Sequence, residues 1–258
     1  MRSVACTGKR FMFLGRSPQL KRGTPFSVLC FIWRPLMLRT PARSIVSVLT
    51  AALLLAPSSF AFDSPLSDQA VREAYFLGQR RDESLARFFD KYTRYLPPPK
   101  TGPHISSIAF FTPFAVLTQL SSQHTFGYSA QQAALDHRGQ QESVRIVVQI
   151  LLTDSYPAYI PRPGSRPGSP TGFAPRPFSF WRNFQVQVFA GDKTLEPFSS
   201  SGEPDYICSE YGGSCTLVGA TLQFEFPAED FATDSATIEV NPPEGDPVSV
   251  DFDLTSLR

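Results

Sequence analysis

The chain is sparing with the residues that most often carry chemistry. Among 258 residues there are 4 Cys, 3 His, 3 Met and 2 Trp, and no acidic residue precedes Asp63. His104, His124 and His137 form neither a His-Glu-x-x-His motif nor a pair at i, i+4 on one helix, so a hydrolytic zinc centre has no support. A Gly-x-Ser-x-Gly elbow is missing; Gly127-Tyr-Ser-Ala-Gln comes nearest and lacks the last glycine. No Asp-x-Asp-x-Asp-Gly calcium loop and no Cys-x-x-Cys pair occur. No cofactor or metal is therefore expected, and no catalytic residue is assigned. With 42% hydrophobic and 18% charged residues the chain has ample material for a packed core, which excludes disorder throughout.

The distribution of charge is more telling than its total of +1. The first 61 positions hold 9 Lys or Arg, which leaves 15 basic and 23 acidic residues in 62–258. A body that acidic excludes nucleic acid as a natural partner, since phosphates demand cations. Arg39 and Arg43 precede the apolar run Ile45–Ala56, and Ser59-Phe60-Ala61 follows it with small residues where a signal peptidase reads. That run is 12 residues long, about 18 Å as a helix, short of the roughly 30 Å hydrocarbon layer. We therefore expect a signal peptide over 37–61, starting at Met37 and cleaved after Ala61, with 1–36 a surplus upstream extension from a misassigned start. The product is expected to be secreted or periplasmic, with no stable membrane span after processing.

Two texture changes follow. Ser64-Pro65 is expected to open a helix through Val71, Ala74, Tyr75 and Gly78, and Asp82 to cap a second helix carrying Leu85, Phe88, Phe89, Tyr92 and Leu96 until Pro97-Pro98-Pro99 stops it. Beyond His104, Ile108, Phe110, Phe114, Val116 and Leu120 fall at even spacing, one face of a strand interrupted at Pro113. Ser129-Ala-Gln-Gln132 is a capping box for a short helix to Arg138, closed by Gly139. Strands are then expected around Val144–Leu152, Phe184–Val188, Thr194–Glu196, Tyr206–Cys208, Cys215–Phe226, Ile238–Val240 and Val248–Leu254. The fold class this implies is mainly β: an Ig-like antiparallel β-sandwich over 101–258, with an N-terminal helical pair over 62–100 and one short inserted helix.

Three features are left as candidates for a role. Cys208 and Cys215 flank Ser-Glu-Tyr-Gly-Gly-Ser and should form a disulfide that staples a hairpin tip. Between Pro157 and Pro177 lie 7 prolines and 3 glycines, where no regular element is expected. This loop, with the Phe178-Ser-Phe-Trp181-Arg182 segment that ends it, carries the possible partner-binding residues Tyr159, Arg162, Arg166, Arg176 and Trp181, against the plainer reading that Phe180 and Trp181 only anchor it. Finally, residues 191–258 hold 14 acids against Lys193 and Arg258, a solvated acidic surface in which Asp246, Asp251 and Asp253 are the nearest approach to a calcium site.

Val71-Arg-Glu-Ala-Tyr-Phe-Leu-Gly-Gln-Arg80 and Gly127-Tyr-Ser-Ala-Gln-Gln132 resemble segments of uncharacterised secreted bacterial proteins that join such a helical stretch to a β-domain. The likeness covers most of 62–258, implies export and that architecture, and carries no site residues. The expected function is thus an exported, envelope-associated, non-catalytic binding or structural module whose partner is an unknown protein or surface polymer. The alternatives are a secreted hydrolase with an unrecognised carboxylate pair, and calcium-dependent carbohydrate binding.

Overall fold

In the computed structural model the described residues are 62–124, 127–162, 172–209, 213 and 215–258. The leader expected over 37–61, the extension over 1–36 and Arg166 lie outside them. The described residues belong to one compact unit, and they are 40% strand and 27% helix, so the class is mixed α/β with strand in excess.

Four α-helices occur among them, one more than the sequence suggested. α1 (Asp68–Gly78) is capped by Ser67, whose hydroxyl accepts from the Ala70 N–H. The cap is therefore three residues later than Ser64, because the Ser64 hydroxyl donates to Glu142 Oε2 at 2.7 Å instead. α2 (Glu83–Lys91) starts at Asp82 as expected, but it ends well before the prolines. Leu96 is not part of it, since Thr93–Tyr95 extends into strand β1 against β2 (His104–Phe111).

The larger departure is α3 (Pro113–Gln123). Phe114, Val116 and Leu120 belong to this helix and not to a strand. Thr112 has extended backbone and its hydroxyl accepts from the Ala115 N–H, while Pro113 occupies the first turn, where a missing N–H costs nothing. Thr-Pro is a helix start, and it overrides the even spacing of the apolar residues. α4 (Ala130–Arg138) matches expectation, with Ser129 accepting from Gln132 N–H and Gly139 at its end.

All strand pairs are antiparallel. β3 (Ser143–Leu151) pairs with β2 and with β9 (Cys215–Pro227), and β8 (Ser199–Cys208) completes a five-stranded sheet in the order β1-β2-β3-β9-β8. β6 (Gln185–Ala190), β7 (Lys193–Leu195), β10 (Ser235–Asn241) and β11 (Val248–Asp253) form a four-stranded sheet in the order β11-β10-β6-β7. The Gly191-Asp192 turn expected between β6 and β7 is present, with Gly191 at φ 59°. The proline-rich stretch does contain a regular element: β4 (Tyr159–Pro161) pairs with β5 (Phe173–Pro175). Prolines at ribbon ends leave the Ile160–Ala174 pairing intact, so proline density alone was a poor guide.

Alternation decides the core. Val144, Ile146, Val148 and Ile150 are fully buried along β3, and one cluster joins them to Phe110 of β2, Ile238 of β10 and Phe252 of β11. The Phe110 ring lies 5.6 Å from Phe252 and 5.1 Å edge-on from Phe231, so the apolar faces of both larger sheets contribute to the same interior. Arg145 and Phe111, opposite one another in register, turn to the other face, where Gln119 of α3 accepts from Arg145 at 3.1 Å and Phe89 of α2 packs on Phe111. A smaller cluster, with Val71, Ala74, Phe114 and Leu117, joins α1 to α3. Gly78 permits that approach: a Cβ there would sit 2.3 Å from the Thr118 carbonyl oxygen. Arg258 ties the last strand region to the helices, its main-chain oxygen accepting from the Thr112 and Tyr92 hydroxyls and its guanidinium reaching Asp63 and Glu73.

Candidate functional site: a cleft between two hairpins

Two hairpins separated in sequence meet at one end of the molecule. In the β4–β5 hairpin Tyr159 pairs with Pro175 and Pro161 with Phe173, so these four side chains share a face. The ladder is extended by Arg162 N–H to Gly172 O at 2.6 Å and Arg176 N–H to Ala158 O at 2.7 Å. The β8–β9 hairpin runs past the end of β3: pairing between β3 and β9 stops at Leu151 and Gly219, whereas β8 and β9 continue through Tyr206 with Leu217 to Cys208 with Cys215. An irregularity between Asp205 and Tyr206 marks where this ribbon leaves the sheet. The expected disulfide between Cys208 and Cys215 closes it.

The space between the hairpins is a cleft of 300 Å³ whose walls include Tyr159, Pro175 and Phe178 on one side and Tyr206, Cys215 and Leu217 on the other. Its aromatics are open to water: Tyr159 is 57% exposed, Phe178 68% and Tyr206 49%. Three exposed rings around one cleft make an apolar patch, the kind of surface on which interaction sites are found. Arg176 is the charged residue of the lining.

Beneath the cleft the loop is held firmly. The Arg176 guanidinium lies 3.5 Å from the centre of the buried Tyr156 ring, and its Nε donates to Pro157 O at 2.9 Å. Tyr156 packs in turn on Phe180 and Phe184. Burial pushes the Tyr156 hydroxyl up, against the opposing charge of Arg176, so it stays protonated under ordinary conditions.

The residues singled out in the sequence divide. Tyr159 and Arg176 line the cleft. Arg162 sits at the end of β4 and is not among the lining residues. Trp181 lies elsewhere, on β8: a Cβ at Gly202 would fall 2.6 Å from its ring, and Arg182 stacks on it at 5.3 Å. Trp181 thus acts as an anchor, as does Phe180, 2% exposed. Phe178, Tyr206 and Leu217 were missed as site residues. The signal for Tyr206 was present, in an aromatic two residues from a disulfide at a hairpin tip, where no core can receive it.

Several polar groups elsewhere have structural partners. Glu142 accepts from the Leu66 N–H at 2.6 Å and from the Ser64 hydroxyl, and Nε2 of His137 lies 3.0 Å from its Oε1. The Ser64 hydroxyl donates to the carboxylate and not to His137, so the trio is a tether and not a nucleophile with its base. Ser129, the other hydroxyl near His137 in sequence, is a helix cap. Asp251 accepts from the Thr237 hydroxyl at 2.6 Å and Asp253 from Thr255. Among the described residues no three His, Cys, Asp or Glu side chains gather where they could hold a metal ion. The sequence matches no known family and no curated protein.

Proposed function

We propose that this is an exported, non-catalytic binding protein of the cell envelope that captures a protein partner in the cleft between the β4–β5 and β8–β9 hairpins. The observation that carries the reading is the convergence of the exposed rings of Tyr159, Phe178 and Tyr206 on one cleft, backed by the packed Tyr156–Phe180–Phe184 cluster. Aromatic anchors beside an arginine are the usual composition of protein recognition hot spots. In this reading the two larger sheets pack face to face as an Ig-like sandwich, supported by the interior they share, and the hairpins project from one end of it. Export is supported by the leader-like 37–61 segment and by the disulfide, which forms readily in an oxidising compartment. Cleavage after Ala61 leaves Phe62 as the first residue, which intact mass of the exported protein checks directly.

Capture from detergent-extracted envelope tests the site. Wild-type protein should retain a discrete partner, and Tyr159→Ala with Tyr206→Ala should lower its retention by about thirtyfold or more, as loss of two hot-spot rings does. Trp181→Ala, outside the cleft, should retain the partner. Equal retention by the double variant overturns the assignment.

A further inference from the structure

The outward face of the α1–α4 pair carries a second groove, unconnected with the hairpin cleft. The two helices run antiparallel: Arg138 at the end of α4 pairs with Asp68 in the first turn of α1 at 3.0 Å, and the Tyr75 hydroxyl near the end of α1 donates to Tyr128 O, just before α4, at 2.8 Å. Between them lies a groove of 580 Å³ lined by Arg72 and Phe76 of α1 and by Ala130, Ala134, Leu135 and Arg138 of α4. Phe76 is 62% exposed and Leu135 61%. A solvent-facing helical surface ordinarily places polar side chains at such positions.

The groove is graded along its length. Ala130 and Ala134 are half-buried, Phe76 and Leu135 are exposed on the two helices, and Arg138 meets Asp68 at one end. Arg72 has no ion-pair partner among the described residues. α4 has 9 residues, about 13 Å, which gives the groove room for two to three turns of an incoming helix.

We propose that this groove receives one amphipathic, acidic α-helix from a partner protein. Its apolar side chains at i, i+3, i+4 and i+7 would lie over Ala130 and Ala134 between Phe76 and Leu135, and its carboxylates would meet Arg72 and Arg138. A helix fits because the walls are themselves helices, with no free main-chain groups to pair a strand. Alanines on the floor also allow the 8–10 Å approach that helix packing requires. Acidity follows from charge: Arg72 and Arg138 are the charged residues of the lining, and only Arg138 has a carboxylate partner, Asp68. A flat anionic membrane would also have to meet Asp68, Glu73 and Asp136 of the same two helices, whereas a helix seated in the groove faces its lining, which contains none of them.

The test uses the full folded protein and two labelled synthetic helical peptides of about 18 residues, a length sufficient for a stable amphipathic face. Both carry Leu at the apolar spacing; one has Glu flanking one end of the stripe and the other has Lys there. By fluorescence anisotropy the Glu peptide should bind saturably and at least tenfold tighter than the Lys peptide. Arg72→Glu with Arg138→Glu should reverse that order, and Phe76→Ala with Leu135→Ala should abolish binding of both. Tyr159→Ala with Tyr206→Ala should leave peptide binding unchanged, which separates this face from the hairpin cleft. All six positions are solvent-facing, and the single exposed change Arg72→Gln should by itself weaken the Glu peptide. No saturable binding of the Glu peptide, equal affinity for both peptides, or stronger retention on anionic phospholipid vesicles than by the Glu peptide overturns the proposal.

Discussion

The Glu142 carboxylate binds three separate partners, Ser64, Leu66 and His137. Burial opposes its charge, but hydrogen bonding with His137, the Leu66 N–H and the Ser64 hydroxyl outweighs that and holds its carboxyl below the usual range. A folded-state pKa below the unfolded one gives stability that is complete above the unfolded value, about 4.3, and lost as pH falls through the folded value. Glu142→Gln should therefore cost about 1–3 kcal/mol near neutral pH, and the difference from wild type should shrink toward zero in acid. Urea titrations of both proteins across that range check the sign: a deficit that grows on acidification contradicts it. Gly202 offers a second test at this scale, because its missing Cβ is what lets Trp181 lie on β8. Gly202→Ala should displace the ring and cost about 1–3 kcal/mol by overpacking, with a loss of Trp181 fluorescence anisotropy.

At the scale of elements, the disulfide and the register divide the labour in the β8–β9 hairpin. From Ser199 to Glu203 the strand β8 pairs with the part of β9 that β3 also holds, whereas Tyr206 to Cys208 has only the ribbon partner. Replacing both Cys208 and Cys215 by Ser should remove at most about 2–3 kcal/mol, and the loosening should be local. Amide exchange should accelerate at Tyr206–Cys208 and stay slow at Ser199–Glu203; uniform acceleration would mean that the staple supports the whole sheet. Legibility in the sequence differed from element to element. The β6–β7 turn, β10, β11 and α4 could be read from periodicity and caps, since local chemistry alone determines them. α3 could not be read from spacing, because Phe114, Val116 and Leu120 satisfy an alternating pattern by coincidence and only the Thr112-Pro113 start distinguishes the helix. Thr112→Val should cost about 1–3 kcal/mol, through loss of that cap and of the hydroxyl's bond to Arg258 O, measured by thermal unfolding.

On the scale of the whole molecule, the helices and the two larger sheets place the surfaces, and in the proposed reading the surfaces carry the function. Tyr159 and Tyr206 are 47 residues apart and meet only because β9 is longer than β3 and projects its end beside the β4–β5 hairpin. No single stretch of sequence contains that fact, which explains why Tyr159 and Arg176 were recognisable as unusual and Tyr206 and Phe178 were not. Acidic charge is concentrated in residues 191–258, and the cleft draws Arg176 from the Pro157–Pro177 loop, so the cleft differs in charge from the strands around it. Site-specific photo-crosslinking in living cells measures this most directly, with a benzophenone side chain at position 206 and, as comparison, at the exposed Phe198. A discrete adduct from position 206, lost on Tyr159→Ala and absent from position 198, is the predicted result. No adduct from 206, or the same adducts from both positions, would contradict a binding cleft between the hairpins.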